Sequence, residues 1–316
     1  MQKLRFTGLT ADGGSVALGP PLRLELVKSY DTPADSLEAA FLQPLGCPAL
    51  TGLQLWHGKA LLFDGLVDEQ QEQEGDTATL TLQARSIGAL TVDNEALPQY
   101  YYFARLGDLF NNHIRPYGFS QLDAAQNWRM ALFTVTKGLS EWEAFVLFCR
   151  RAAGLTPFVR EDKVVVRPYQ VYRRFTISNH SGDPAALPYC SLERLWRRCA
   201  VVSRVIIRND RGVYSSMVVN PLMQKLGIRR KRYLIPSSEY EYNPTQDADR
   251  QLRQSNLAYL SYRVTLPGVH HILPMDTVDI HHPALGRGGL FVAEARQQLT
   301  AAGLVTKLIL ADPAYL

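Results

Sequence analysis

Two apolar runs near the end of the chain constrain the fold most. Leu290 to Gln297 and Leu304 to Leu310 read as strands facing each other across Leu299-Thr300-Ala301-Ala302-Gly303. Gly303 suits the corner, because glycine adopts a positive φ without a Cβ clash. The same kind of signal recurs early in the chain. Leu22, Leu24 and Leu26 alternate with Arg23 and Glu25, the period-2 pattern of a half-buried strand. Lys59 to Asp68 and Thr77 to Ala84 predict two more strands. Between them Glu69 to Asp76, EQQEQEGD, is expected to form an exposed hairpin loop. Its carboxylates lack the D-x-D-x-D-G spacing of a calcium loop.

The middle of the chain changes period. Leu106, Leu109, Phe110 and Ile114 fall at helical spacing, with a stop near Pro116-Tyr117-Gly118. A stronger helix is predicted from Ser140 to Ala153. Ser140 and Glu143 make a capping box, and Trp142, Phe145, Val146 and Cys149 make its apolar stripe before Gly154 ends it. A small hairpin is expected around Glu161-Asp162, and Ser181 to Tyr189, rich in proline and small residues, reads as a boundary. Strands then return: Ala200 to Arg208, a turn at Asn209-Asp210-Arg211-Gly212, and Val213 to Val219. Thr245 to Tyr262 predicts a helix with Thr245 as its cap and Ala248, Leu252, Leu257 and Leu260 roughly on one face. Arg263 to Leu266 and Thr277 to His281 read as further strands. The expected class is β-rich α+β, with two small β-barrels or sandwiches on either side of an α/β module. The expected division is 1–97, 98–188 and 189–316, the last with a helical insertion around 220–262.

A chain of 316 residues exceeds the roughly 150 that one typical core holds, consistent with such a division. Its formal charge of +4 is unevenly spread: residues 1–98 carry net −7, residues 99–190 net +4 and residues 191–316 net +7. Ends of opposite sign can stack on copies or on unlike neighbours, and the competing reading is that each end is simply a solvated surface. No run approaches the roughly 18–20 apolar residues of a membrane span. The N-terminal MQKLRFTGLT has no apolar core of a secretory signal, so folding in a cytoplasm is expected. Cys47, Cys149, Cys190 and Cys199 form no C-x-x-C pair and are expected to be free thiols.

Signals for chemistry are sparse. There is no G-x-S-x-G, H-E-x-x-H, Walker loop or G-x-G-x-x-G. Gly286-Arg287-Gly288-Gly289 precedes a strand rather than a helix and reads as a hairpin turn. His270-His271 and His281-His282 cannot chelate as adjacent pairs on a strand, though one from each could meet across a ladder. Arg229-Arg230-Lys231-Arg232 is the densest positive charge, with Tyr233, Tyr240 and Tyr242 nearby; a solvated loop, a protein-docking face and a nucleic-acid contact are the competing readings. Arg229, Arg230, Lys231, Arg232, His270 and His282 are the candidate protein-interface residues. No catalytic residue, metal site or cofactor is expected.

Four segments in order carry a resemblance. They are SYDTPADSLEAAF (Ser29 to Phe41), QARSIGALTVDNEA (Gln83 to Ala96), KGLSEWEAFVLFCRRAAGLTPFV (Lys137 to Val159) and GLFVAEARQQLTAAGLVTKLIL (Gly289 to Leu310). Together they resemble the baseplate hub proteins of contractile phage tails, the Mu-like and late control D family. That family is related to the N-terminal part of type VI secretion spike proteins. The resemblance implies two β-barrels of similar fold, an inserted α/β module and a homotrimeric ring. Two barrels in each of three subunits would adapt a six-fold tail tube to a three-fold spike.

The implied partners are copies of the chain, a spike protein, a tube or tube-initiator protein and a tape measure protein. No membrane and no specific nucleic acid are implied, although DNA may pass through the ring. The implied location is the tail baseplate of a phage, prophage or phage-derived bacteriocin particle, made in the bacterial cytoplasm. A lumen that passes DNA should not be strongly basic, so Arg229 to Arg232 are expected away from it or neutralised there. The competing enzymatic reading is a cell-wall hydrolase of the same particle, for which Glu141 and Glu143 are the nearest carboxylates. Their place in the first turn of a capped helix speaks for a structural role.

Overall fold

The computed structural model describes residues 3–43, 45–180, 182–236, 242–300 and 303–316. Most of its strands join one 13-stranded sheet. The first seven strands of the chain fill one part of it: Leu4–Thr10, Ser15–Leu18, Pro21–Ser29, Ser36–Leu42, Leu50–His57, Ala60–Gln73 and Thr79–Ser86. Pro21–Ser29 and Ser15–Leu18 stand at opposite ends of this part. Yet Leu24 and Leu26 from one end share a buried core with Leu18 from the other, and with Phe6, Phe41, Leu55 and Leu82. The seven strands therefore roll around a single core. Phe6 and Phe41 meet edge-on at 5.0 Å inside it.

Two early expectations need correction. Leu24 and Leu26 are buried, but Leu22 is exposed. A register shift between Pro21 and Arg23 places Leu22 in a bulge, which turns it off the core face. The predicted loop Glu69 to Asp76 is mostly strand, since Ala60–Gln73 pairs with Thr79–Ser86 as far as Gln73↔Thr79. Backbone pairing overrides the weak strand preference of Glu and Gln. Gln70 and Glu72 also hold the loop after Leu42. The Glu72 carboxylate accepts from the backbone N–H groups of Gly46 (3.1 Å) and Cys47 (2.6 Å), and Gln70 accepts from Leu50 N–H (2.9 Å).

Residues 96–166 build their own core from Leu106, Leu109, Phe110, Phe133, Phe145 and Phe148. Helices Leu106–His113 and Glu141–Ala153 pack against the antiparallel pair of strands Gln99–Arg105 and Arg129–Val135. The capping box forms as predicted, with Glu143 N–H donating to Ser140 Oγ and the Glu143 carboxylate accepting from Ser140 N–H. Gly154 ends this helix at φ +69°. Phe158–Arg160 and Lys163–Val166 form the expected hairpin.

The remaining six strands of the large sheet are Arg174–Ile177, Ser191–Trp196, Leu260–Pro267, Thr277–Ile280, Arg287–Thr300 and Gly303–Ala311. They surround a core of Ile177, Tyr262, Val264, Ile280, Leu290, Val292, Leu308 and Leu310. The closing hairpin is present, with Gly303 at φ +108°; Ala301 and Ala302 of its turn lie outside the described residues. Arg287 and Gly288 already belong to the strand, so the turn lies earlier, where Gly286 N–H bonds to His282 carbonyl oxygen. The 14-residue strand Arg287–Thr300 changes partner along its length. Its first half pairs with Thr277–Ile280 and its second with Pro21–Ser29, with Glu294 opposite Ser29 and Gln298 opposite Glu25. This strand fuses the first and last β regions into one sheet. Arg296 reinforces the seam by bonding Glu25 (2.5 Å) across it, and is held by Glu294 (3.1 Å) of its own strand.

The strands expected over 200–208 and 213–219 form, and the insertion expected to be helical around 220–262 adds a third, Lys231–Leu234, to them. A three-stranded sheet, Tyr214–Val219, Arg204–Arg208 and Lys231–Leu234, packs on helix Pro244–Leu257 through Val205, Ile207, Leu234, Ala248 and Leu252. That helix is capped by Asn243, not Thr245: Asn243 Oδ1 accepts from Thr245 and Gln246 N–H, and Pro244 takes the first helical position. It stops at Leu257, and Leu260 begins the next strand. Asn256 is half of a buried amide pair, accepting from Asn220 Nδ2 at 2.6 Å.

Candidate functional site

Among the described residues, Asp276 is the most heavily bonded charge. Its side chain has no solvent exposure. It accepts from Arg160 Nη2 (2.7 Å), from Arg173 Nη2 (2.5 Å) and from Leu273 backbone N–H (2.8 Å). Arg160 sits on the hairpin of the middle unit, is only 10% exposed, donates to Pro274 carbonyl oxygen and stacks over Tyr172 at 4.5 Å. The group joins three parts of the chain: the middle unit, the linker after it and the loop before Thr277–Ile280. Full pairing and burial make it a structural clasp. Nothing in the sequence pattern pointed to it, because its members are more than a hundred residues apart.

Beside this clasp lies a cleft of about 910 Å³. Leu61, Leu66, Ile87 and Phe119 line its apolar walls, Lys28 and Arg173 bring charge, and His271 brings a polar ring. Lys28 is paired with Asp35.

The histidines do meet other histidines, but not as expected. His271 Nε2 lies 3.0 Å from His57 Nδ1, bridging the first and last β regions. His282 packs edge-on against His180 at 4.9 Å, and its Nδ1 accepts from the N–H groups of Ala284 and Leu285. His270 Nε2 lies 2.9 Å from Pro267 carbonyl oxygen. Both candidate interface histidines, His270 and His282, thus bond within the chain. Among the described residues, no three His, Cys, Asp or Glu side chains converge on a metal position.

The His57–His271 contact carries a pH dependence. Burial, followed by the charges of His57, Arg173 and His270, holds the His271 imidazole below its ordinary value of 6.5. The unfolded chain therefore takes up this proton at a higher pH than the folded chain does. The stability it affects is complete above about 6.5 and declines as pH falls through the lower folded value. Thermal melts between about pH 7 and pH 5 should show the midpoint falling, and less steeply in His271→Gln. Equal slopes for both proteins would remove His271 from the explanation.

The two carboxylates weighed for catalysis are fully engaged in structure. Glu141 Oε2 lies 2.5 Å from Nδ1 of the buried His113, and its Oε1 accepts from Tyr117 OH at 3.0 Å. The far side of His113 meets Tyr101 OH at 2.9 Å. Glu143 closes the capping box. Neither carboxylate lines the cleft.

The basic run is not a loop throughout. Lys231 and Arg232 open the strand Lys231–Leu234, which pairs in parallel with Arg204–Arg208. Arg230 donates to Arg198 carbonyl oxygen at 2.7 Å, and Arg229 is exposed. Lys231 lies over Tyr233 at 5.2 Å, and Tyr233 packs against Tyr214 at 5.0 Å. Tyr242, further along, donates to Asp247; Tyr240 lies outside the described residues. Sequence reasoning missed a second exposed aromatic group, Tyr100, Tyr102 and Phe103 on strand Gln99–Arg105. Phe103 has φ 54°, an uncommon conformation for a residue of its bulk.

No family model matches the chain, and no curated protein matches it in sequence. Solved structures do match. The chain is similar to a tail protein from Neisseria meningitidis MC58, with 16% identity, a TM-score of 0.76, and 98% of this chain and 96% of that one covered. It is similar to the 43 kDa tail protein of prophage MuSo2 from Shewanella oneidensis, with 11% identity, a TM-score of 0.79, and 100% and 99% covered. It also resembles the E. coli c3393 protein, a component of the type VI secretion system, with 9% identity, a TM-score of 0.60, and 98% and 76% covered. The chain has the fold of these tail proteins over nearly its whole length, the fold to which the four sequence segments pointed.

Proposed function

We propose that this chain, folded as phage tail proteins are, is a structural baseplate hub of a contractile tail rather than an enzyme. In this reading three copies close into a ring, each supplying two β-barrels of similar fold, so that six barrels meet a six-fold tube and a three-fold spike. The observation that supports it is the fusion of the first and last β regions through strand Arg287–Thr300. Two rolled sheets locked side by side have a fixed mutual angle, which a ring segment needs. The middle unit, from about Leu97 to the linker before Arg174, sits outside this fused sheet as a separate core. We assign Arg229 to Arg232 to a protein-facing surface away from the lumen, which leaves the channel free of a basic run.

The partners of this reading are a spike protein, a tube or tube-initiator protein and the tape measure protein. The exposed Tyr100, Tyr102 and Phe103 have the composition of an interface centre and are offered to one of them. Electron microscopy of purified particles tests the assignment. A gold label on a C-terminal tag is expected at the tail tip, next to the spike. Label distributed along the tube or sheath would contradict it.

A further inference from the structure

We infer that the outward face of the small three-stranded sheet docks on the acidic end of the first β region of a second copy. The inference rests on the ring reading above and names the surfaces that would close it. On that face Ile206 stands between Met217 and Tyr233 in one cross-strand row, and Tyr214 packs on Tyr233. Met217 is 58% exposed, although its opposite-face neighbours are packed on helix Pro244–Leu257. Arg204 and Arg208 alternate with Ile206 on the central strand, and Lys231 alternates with Tyr233 on the edge strand. The result is an apolar centre of Met, Ile and Tyr with a cationic rim. Centres of this composition dominate protein interfaces, and a charged rim selects the partner.

The complement lies at the other end of the chain. Leu42 pairs with Thr79, and Thr79 pairs with Gln73, so three strands end together there. Leu42 is 54% exposed and Leu45 follows it in the loop that Glu72 holds in place. Glu72, at the end of the strand beside them, and Glu74 and Asp76, in the turn that follows it, are exposed. Two exposed leucines at the same strand ends as these carboxylates match the apolar centre and cationic rim of the other surface. Residues 1–98 carry net −7 and residues 191–316 net +7, so the long-range field favours the same orientation. The two surfaces differ, so the contact is head-to-tail, and such contacts make rings when the rotation closes.

The test is the mass of the full chain in solution by light scattering. Wild type is expected to be a trimer that weakens at high salt, because exposed rim charges are screened. Arg208→Glu with Lys231→Glu should lower the mass threefold, with an unchanged circular dichroism spectrum. Adding Glu74→Lys and Asp76→Lys should restore the trimer. If the double reversal unfolds, Met217→Glu alone carries the test, with the same threefold fall expected. A trimer that survives the reversals, or one lost and not restored by the reciprocal charges, overturns the docking surface and leaves the ring reading standing. A wild type that is only monomer or dimer overturns the ring reading itself.

Discussion

Replacing Asp276 with alanine should lower stability by about 3–5 kcal/mol, the range for breaking a buried ion pair from one side. Arg160 is the reason. At 10% exposure it is largely cut off from water when its partner is removed, and its other contacts, Pro274 carbonyl oxygen and the Tyr172 ring, do not neutralise it. Arg173 is 41% exposed, and removing it leaves Asp276 still bonded to Arg160 and to Leu273 N–H, so Arg173→Ala should cost only about 1 kcal/mol. Urea denaturation distinguishes the two. The midpoint of Asp276→Ala should fall far more than that of Arg173→Ala, at similar slope. Equal midpoints would mean that the clasp does not depend on burial of Arg160.

Phe291→Ala should cost a similar amount, about 3–5 kcal/mol. Phe291 is fully buried on the strand that joins the two β regions. Its ring meets Tyr30 edge-on at 5.3 Å and Tyr169 at 6.1 Å. Phe158 and Met275 belong to the same cluster. The residue therefore packs the first β region, the middle unit and the linker against one strand. Truncation opens a cavity at that junction, and the surrounding side chains come from too many elements to collapse together. Phe291→Leu should recover much of the loss, since it refills most of the volume. Thermal or urea unfolding of both variants checks the order. Wild-type stability in Phe291→Ala would show that the junction is not a packed unit.

How much of this was legible beforehand depended on the range of the interaction. The closing hairpin and the Ser140 capping box are local, and alternation, a corner glycine and an S-x-x-E spacing specify them. The end of strand Ala60–Gln73 reads as loop in the sequence because its last residues are Glu and Gln, whose preference is set aside by pairing with Thr79–Ser86. The sheet of 204–208, 214–219 and 231–234 was only half visible. Its third strand joins in parallel from beyond a short helix, Pro221–Lys225, a non-local pairing that leaves no spacing signal in a basic run. His57 with His271, and Asp276 with Arg160, are separated by 214 and 116 residues. Such pairs are products of the fold. The two apolar-and-charged surfaces were visible only as a charge imbalance until their side chains could be placed on faces.

Image averages of the purified chain by electron microscopy test the hub reading most directly. A closed ring of three copies with six lobes around an open centre is the predicted result, with a mass three times 35.5 kDa. A two-fold dimer, or an open filament, would contradict it.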